Sequence, residues 1–232
     1  MTAQSVVAIQ TPLGSLLLRA MVGSNIVRLS ELEHLPGGDF TSTPFTLPEA
    51  TGKLLLGKVD PGLLDDQHVD DCWGVIWRVQ AEIDLPEHVT LEFSCSWGSD
   101  SVWAETGWGS GQTVISQSWE RRLTQIAIGT VEPTFALRSY AEQQHFHLPL
   151  RWFKDCPEFF EFDCVEASSA GLTVRYPALR AGELCHAQFA IAWKERRDMD
   201  DQDAVLAVDL APGQIFRAAF GWNSDNGHSD LN

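Results

Sequence analysis

Between Trp73 and Trp97 the chain alternates apolar and polar residues with a period of two. That rhythm confines the segment to extended strands with one dry and one wet face. Trp73, Val75, Trp77, Val79, Ala81 and Ile83 form the apolar set, and Arg78, Gln80, Glu82 and Asp84 fall between them. After Leu85-Pro86-Glu87-His88 the pattern resumes, with Val89, Leu91, Phe93, Cys95 and Trp97 on one side and Thr90, Glu92, Ser94 and Ser96 on the other. Two such runs around a short turn read as an antiparallel hairpin. Leu184 to Lys194 repeats the rhythm: Cys185, Ala187, Phe189, Ile191 and Trp193 alternate with His186, Gln188 and Lys194.

Shorter strands are expected at Ser5 to Gln10, Ser15 to Ala20 and Asn25 to Ser30, punctuated by Pro12, Gly14 and Gly23. From Glu33 to Gly52 the turn formers Pro36, Gly37, Gly38, Pro44 and Pro48 predict a long irregular loop. Ser101 to Trp108 reads as a strand, and Thr113 to Trp119 as a strand followed by a helical turn. Beyond Glu132-Pro133, seven further strands are expected: Thr134 to Ala141, His145 to Trp152, Phe159 to Val165, Leu172 to Tyr176, Leu184 to Lys194, Ala204 to Leu210 and Gln214 to Trp222. The last two would meet at a type II turn over Ala211-Pro212-Gly213. The fold class is therefore all-β, an antiparallel β-sandwich or jelly-roll-like architecture. Two packed domains are expected, an antiparallel β domain over 1–131 and a seven-stranded sandwich over 132–226, ahead of a flexible tail over 227–232. A single extended β domain is the alternative, since 232 residues suffice for one large core.

A hydrophobic fraction of 44% with nine Trp belongs to a packed protein and not to a disordered one. The formal charge of −16 surrounds it with a negative field. Nucleic-acid phosphates and anionic membranes both need clustered Lys and Arg, so neither is an expected partner. No apolar run reaches the ~20 residues of a membrane span. The first residues lack the basic start and apolar run of a secretory signal. Cys72, Cys95, Cys156, Cys164 and Cys185 are odd in number and have no CxxC spacing, so neither a disulfide framework nor a zinc knuckle is expected. A cytoplasmic location follows from both, with Cys95 and Cys185 buried as small hydrophobes.

Three constellations could carry chemistry. His145 and His147 alternate with Phe146, Leu148, Leu150 and Trp152, so on a strand both imidazoles would face one way. With His186, Glu161 and Asp163 they could hold zinc or iron. A carboxylate four residues after His147 would strengthen the motif, and Arg151 stands there instead. The acidic run Asp198, Asp200, Asp201 and Asp203 imitates the start of a calcium loop, but Asp203 occupies the place of the turn glycine and Asp209 that of the closing Glu. Asp65, Asp66, Asp70 and Asp71 form a similar cluster around His68. The third is the tryptophan set, in which Trp103 and Trp108 break the apolar phase and could form an exposed platform.

No nucleophile elbow, cysteine-protease signature or phosphate-binding glycine loop occurs. The expected function is therefore binding without catalysis: an acidic cytoplasmic inhibitor, immunity or accessory-subunit protein that recognises a basic partner through Trp103, Trp108, Asp198, Asp200, Asp201 and Asp203. No cofactor is expected. The alternatives are a small enzyme with a His-x-His metal site, and a carbohydrate-binding module.

Overall fold

The computed structural model describes residues 6–30, 33–34, 40–98, 105–110, 114–133, 135, 147–195 and 201–220. The strands are β1 (Val7–Thr11), β2 (Gly14–Val22), β3 (Asn25–Ile26), β4 (Glu33–His34), β5 (Phe40–Thr46), β6 (Ala50–Lys58), β7 (Asp71–Ala81) and β8 (Leu91–Trp97). They continue as β9 (Glu105–Ser110), β10 (Val114–Arg121), β11 (Thr124–Val131), β12 (Val165–Ser168), β13 (Gly171–Tyr176) and β14 (Leu184–Glu195). Every pairing is antiparallel. One sheet runs β1-β2-β8-β13-β12, with β3 beside β2; the other runs β4-β5-β6-β7-β14-β11-β10-β9. The chain is thus an antiparallel β-sandwich.

Aromatic rings tie the two sheets together. Phe45 and Trp77 of the larger sheet lead to Phe93 and Tyr176 of the smaller one, with successive centroids 6.2, 6.2 and 6.0 Å apart. Trp97 meets Trp119 edge-on at 5.3 Å, and the Trp119 indole N–H donates to the Ser169 carbonyl. Trp77, Trp119, Trp152 and Trp193 are buried, while Trp73 and Trp97 are half-buried. Trp222 lies outside the described residues.

The alternating runs are strands, but they do not form the hairpin that their adjacency predicts. β7 pairs with β6 and β14, whereas β8 pairs with β2 and β13. The segment between them arches from one sheet to the other. A two-residue period fixes which way side chains face, not which neighbour a strand chooses. Ile83, expected in the apolar row, lies past the end of β7 and is 53% exposed.

Four other expectations are overturned. The loop predicted over Glu33 to Gly52 contains β4, β5 and the start of β6, and the helical turn predicted after Trp119 is β11. In place of strands at His145 to Trp152 and Phe159 to Val165 there is a short helix, α1 (Leu150–Asp155), and a π-helical turn over Phe159–Asp163. Trp152 and Phe160 from these pieces stack near Tyr176, at 5.4 and 6.4 Å. In place of the strands at Ala204 to Leu210 and Gln214 to Trp222 there is one helix, α2 (Asp203–Phe220), with Pro212 inside it. The expected strand at Thr134 to Ala141 falls almost wholly outside the described residues, and the tail over 227–232 entirely so.

Helix α2 lies on the outer face of the larger sheet. By register, Cys185, Ala187, Phe189, Ile191 and Trp193 share the inner face with Val79, Trp77, Val75 and Trp73. His186, Gln188, Ala190, Ala192 and Lys194 share the outer face with Arg78, Ile76, Gly74 and Cys72. Both faces of β14 are therefore dry. The helix buries Ala204, Ala207, Val208, Ala211, Ile215 and Phe216. Glycines let it approach: a Cβ on Gly74 would stand 2.7 Å from Ile215 Cγ1, and one on Gly129 would stand 3.0 Å from Val208 Cβ. A Gly74→Ala variant should lose about 1–3 kcal/mol in urea denaturation through overpacking. Combined with Ile215→Ala, the loss should be smaller than the sum of the two single losses.

Candidate functional site

The acidic run resolves into a clamp at the start of α2. Lys194 projects from the outer face of β14 with its side chain only 3% exposed. Its ammonium pairs with Asp201 at 2.6 Å and also with Asp203. Burial pulls the Lys194 pKa down, but hydrogen bonds and charge from the two carboxylates outweigh it and hold the group above its ordinary value. Asp203 also accepts the His68 backbone N–H at 3.0 Å, and Gln202 accepts from Gln125 Nε2 at 2.9 Å. Two of the four predicted acidic residues thus already serve a resident cation. Asp198 and Asp200 lie outside the described residues.

Breaking a buried ion pair on one side leaves charge uncompensated. Lys194→Met should therefore cost about 3–5 kcal/mol and speed amide exchange in the first turns of α2. The raised pKa gives the clamp a pH signature. Its contribution is complete below the ordinary lysine value of 10.5 and fades as pH rises through the higher folded value. Wild-type stability should fall above about pH 10.5, and the variant should lack that component.

The clamp fixes the loop between β6 and β7. Asp70 donates its N–H to the Trp193 carbonyl at 2.9 Å and accepts the Glu195 N–H at 2.8 Å. Asp60 Oδ1 accepts the Gly62 N–H, and Leu64 and Gln67 close a turn at 2.9 Å. Leu63 and Val69 pack against the core while Leu64 is 70% exposed. Asp60, Asp65, Asp66 and Asp70 are exposed around it. Asp71 is engaged by Lys58 at 2.7 Å. Sequence reasoning found Asp65, Asp66, Asp70 and Asp71 but missed Asp60 and Leu64, because one Leu in a polar loop carries no periodic signal.

The histidines divide. His186 is buried on the outer face of β14, with Phe216 and Phe220 at 6.0 and 5.9 Å. His147 is exposed, and its ring lies 5.3 Å from that of His186. The two are joined through backbone: the His186 N–H donates to the His147 carbonyl at 2.9 Å, and the His147 N–H to His186 Nδ1 at 3.4 Å. His145 lies outside the described residues. Glu161 and Asp163 are exposed on the π-helical turn, so they are not on the strand face that the metal reading needs. Among the described residues no group of three His, Cys, Asp or Glu side chains could hold a metal. Arg151 grips Glu183 through two hydrogen bonds of 2.8 and 2.7 Å and the Ala178 carbonyl through a third, which pins α1 to the β13–β14 connection.

All five cysteines are free, and all but Cys156 are buried. Burial is the largest cause raising each thiol, taking Cys72 up to about 12. A thiol reagent should therefore modify Cys156 alone in the native protein, and all five only after unfolding. Trp103 lies outside the described residues. Trp108 is in β9 and pairs in register with Gln117, and its side chain also lies outside them.

A groove of about 700 Å³ opens where the β2–β3 turn, the β5–β6 turn and the arch between β7 and β8 converge. Glu49, Asp84 and His88 line it beside Ile83 and Val89. No single sequence segment announces it, because three turns build it.

Fold and sites together define a two-sheet β-sandwich with a helix sealing part of its outer face. No protein-family model matches the chain, and no curated protein matches it. Among solved structures it is similar to a chain described as a kojibiose phosphorylase from the human microbiome, at 11% identity and a TM-score of 0.47. The match covers 87% of this chain and 26% of that one.

Proposed function

We propose that this protein works by binding and not by catalysis, recognising a basic protein partner from the cytoplasm. The observation that carries the reading is the β6–β7 loop, where Leu64, 70% exposed, stands among the exposed carboxylates of Asp60, Asp65, Asp66 and Asp70. An apolar anchor ringed by one sign of charge suits a partner segment with a hydrophobic side chain flanked by Lys or Arg. The loop is held by the Lys194 clamp and by its bonds to β14, so little ordering entropy opposes association. The net charge of −16 adds long-range steering. Five free thiols agree with a reducing compartment. The anchor in this reading is Leu64, and the docking carboxylates are those of the loop, because Asp201 and Asp203 are engaged by Lys194.

A fluorescent basic peptide carrying one central Leu tests it by anisotropy. Affinity for wild type should fall by about tenfold or more between 0.1 M and 1 M salt, as the screening length shrinks from ~10 to ~3 Å. Leu64→Ser should weaken binding at both salt concentrations, and Asp65→Asn with Asp66→Asn should flatten the salt dependence. Binding that ignores salt, or that survives all three substitutions, overturns the reading.

A further inference from the structure

Among the described residues, two cations face one another without a counter-charge. Lys53 of β6 and Arg78 of β7 are register partners, so their side chains leave the same face of the larger sheet. Residues paired in this way have Cβ atoms roughly 4.5–5.5 Å apart, and like charges there repel. Both side chains are half-buried. Among the described residues no carboxylate lies within 4.0 Å of either, and no side-chain hydrogen bond from the Arg78 guanidinium occurs. The contrast with the other paired cations is plain. Lys58 holds Asp71, Arg175 holds Glu92 and Glu166, Arg151 holds Glu183, and Lys194 holds two aspartates.

The surroundings do not remove the mismatch. On the far side of Arg78 the next residue in the same cross-strand row is the buried His186, itself covered by Phe216 and Phe220. Beyond Lys53 come the exposed Pro44 of β5 and Ser30, whose N–H donates to the Pro44 carbonyl, and neither carries charge. The C-terminal end of α2 passes over His186, but a helix end supplies about half a negative charge against two positive ones. Partial burial lowers the Lys53 pKa, and Arg78 lowers it further, as expected for a cation with nothing to answer it.

We infer that Lys53 and Arg78 form a binding site for a small oxyanion, a phosphate or phosphate ester, on the outer face of the larger sheet. The guanidinium offers a planar fork that matches two oxygens of such a group, and the ammonium supplies a point charge beside it. Bound there, the anion cancels the repulsion and accepts the vacant donors. This site is separate from the β6–β7 loop and opposite to it in sign.

The test is thermal unfolding of the full chain in inorganic phosphate against chloride at matched ionic strength. Phosphate tenfold above its Kd should raise the wild-type Tm by about 3 °C. Lys53→Gln and Arg78→Gln should each abolish that rise. Without phosphate, Lys53→Gln should melt no lower than wild type, since it removes a repulsion, and this separates a lost site from a damaged fold. Arg28→Gln, at an exposed cation elsewhere, should keep the rise. A parallel series with glycerol 3-phosphate assigns the source: a larger rise than with phosphate identifies an esterified ligand, and an equal or smaller one the free ion. No rise in wild type, a rise retained in both variants, or its loss in Arg28→Gln overturns the inference.

Discussion

The architecture depends on β14 being covered on both sides. Its inner residues meet the smaller sheet through the aromatic core, and its outer residues, including His186, Gln188 and Lys194, lie beneath α2. Polar groups in that position need partners, since an unanswered buried donor or charge costs more than a made hydrogen bond returns. For Gln188 Nε2 and Lys194, the helix and the residues just before it provide them. Gln188 Nε2 donates to the Pro212 carbonyl at 3.1 Å, and Lys194 finds two aspartates at the helix start. The same contacts fix where α2 begins, how closely it approaches and how the neighbouring loop is held.

Much of this was legible in the residues, and the limits of legibility have physical causes. The strands with clean alternation, β7, β8 and β14, were visible because a half-buried sheet imposes its period directly. Their partners were not, because pairing is settled by tertiary packing. β5 was hidden by its composition: Phe40-Thr-Ser-Thr-Pro-Phe-Thr46 carries a proline that a central strand would reject. Pro44 is tolerated because, among the described residues, the outer side of β5 carries only short pairings, the two-residue β4 and the Ser30 N–H donated to the Pro44 carbonyl at 3.1 Å. α2 was misread for a related reason, since Ala211-Pro212-Gly213 has the form of a turn. Packing against the Gly74 and Gly129 shelf overrides the local preference, as tertiary contacts often do.

The candidate sites divide along the same line. Asp65, Asp66 and Asp70 of the β6–β7 loop could be named from the sequence, since a run of carboxylates is its own signal. Their division into engaged and exposed groups could not, because Lys194 reaches Asp201 and Asp203 only once β14 and α2 are in place. The Lys53 and Arg78 pairing is 25 positions apart in the chain and exists only as a register between strands. No window short enough to scan by eye contains it.

The position of β14 also shapes how the chain reaches this structure. Among the described residues it is the last strand in sequence, yet it sits between β7 and β11, which are made much earlier. While the chain is being synthesised, the larger sheet must wait as two halves with a vacant slot, each half showing an unpaired edge to its surroundings. Such edges recruit other strands readily. The arrival of residues 184–195 closes the slot from both sides at once, so a ribosome that stalls before them leaves a chain with two open seams instead of one finished wall.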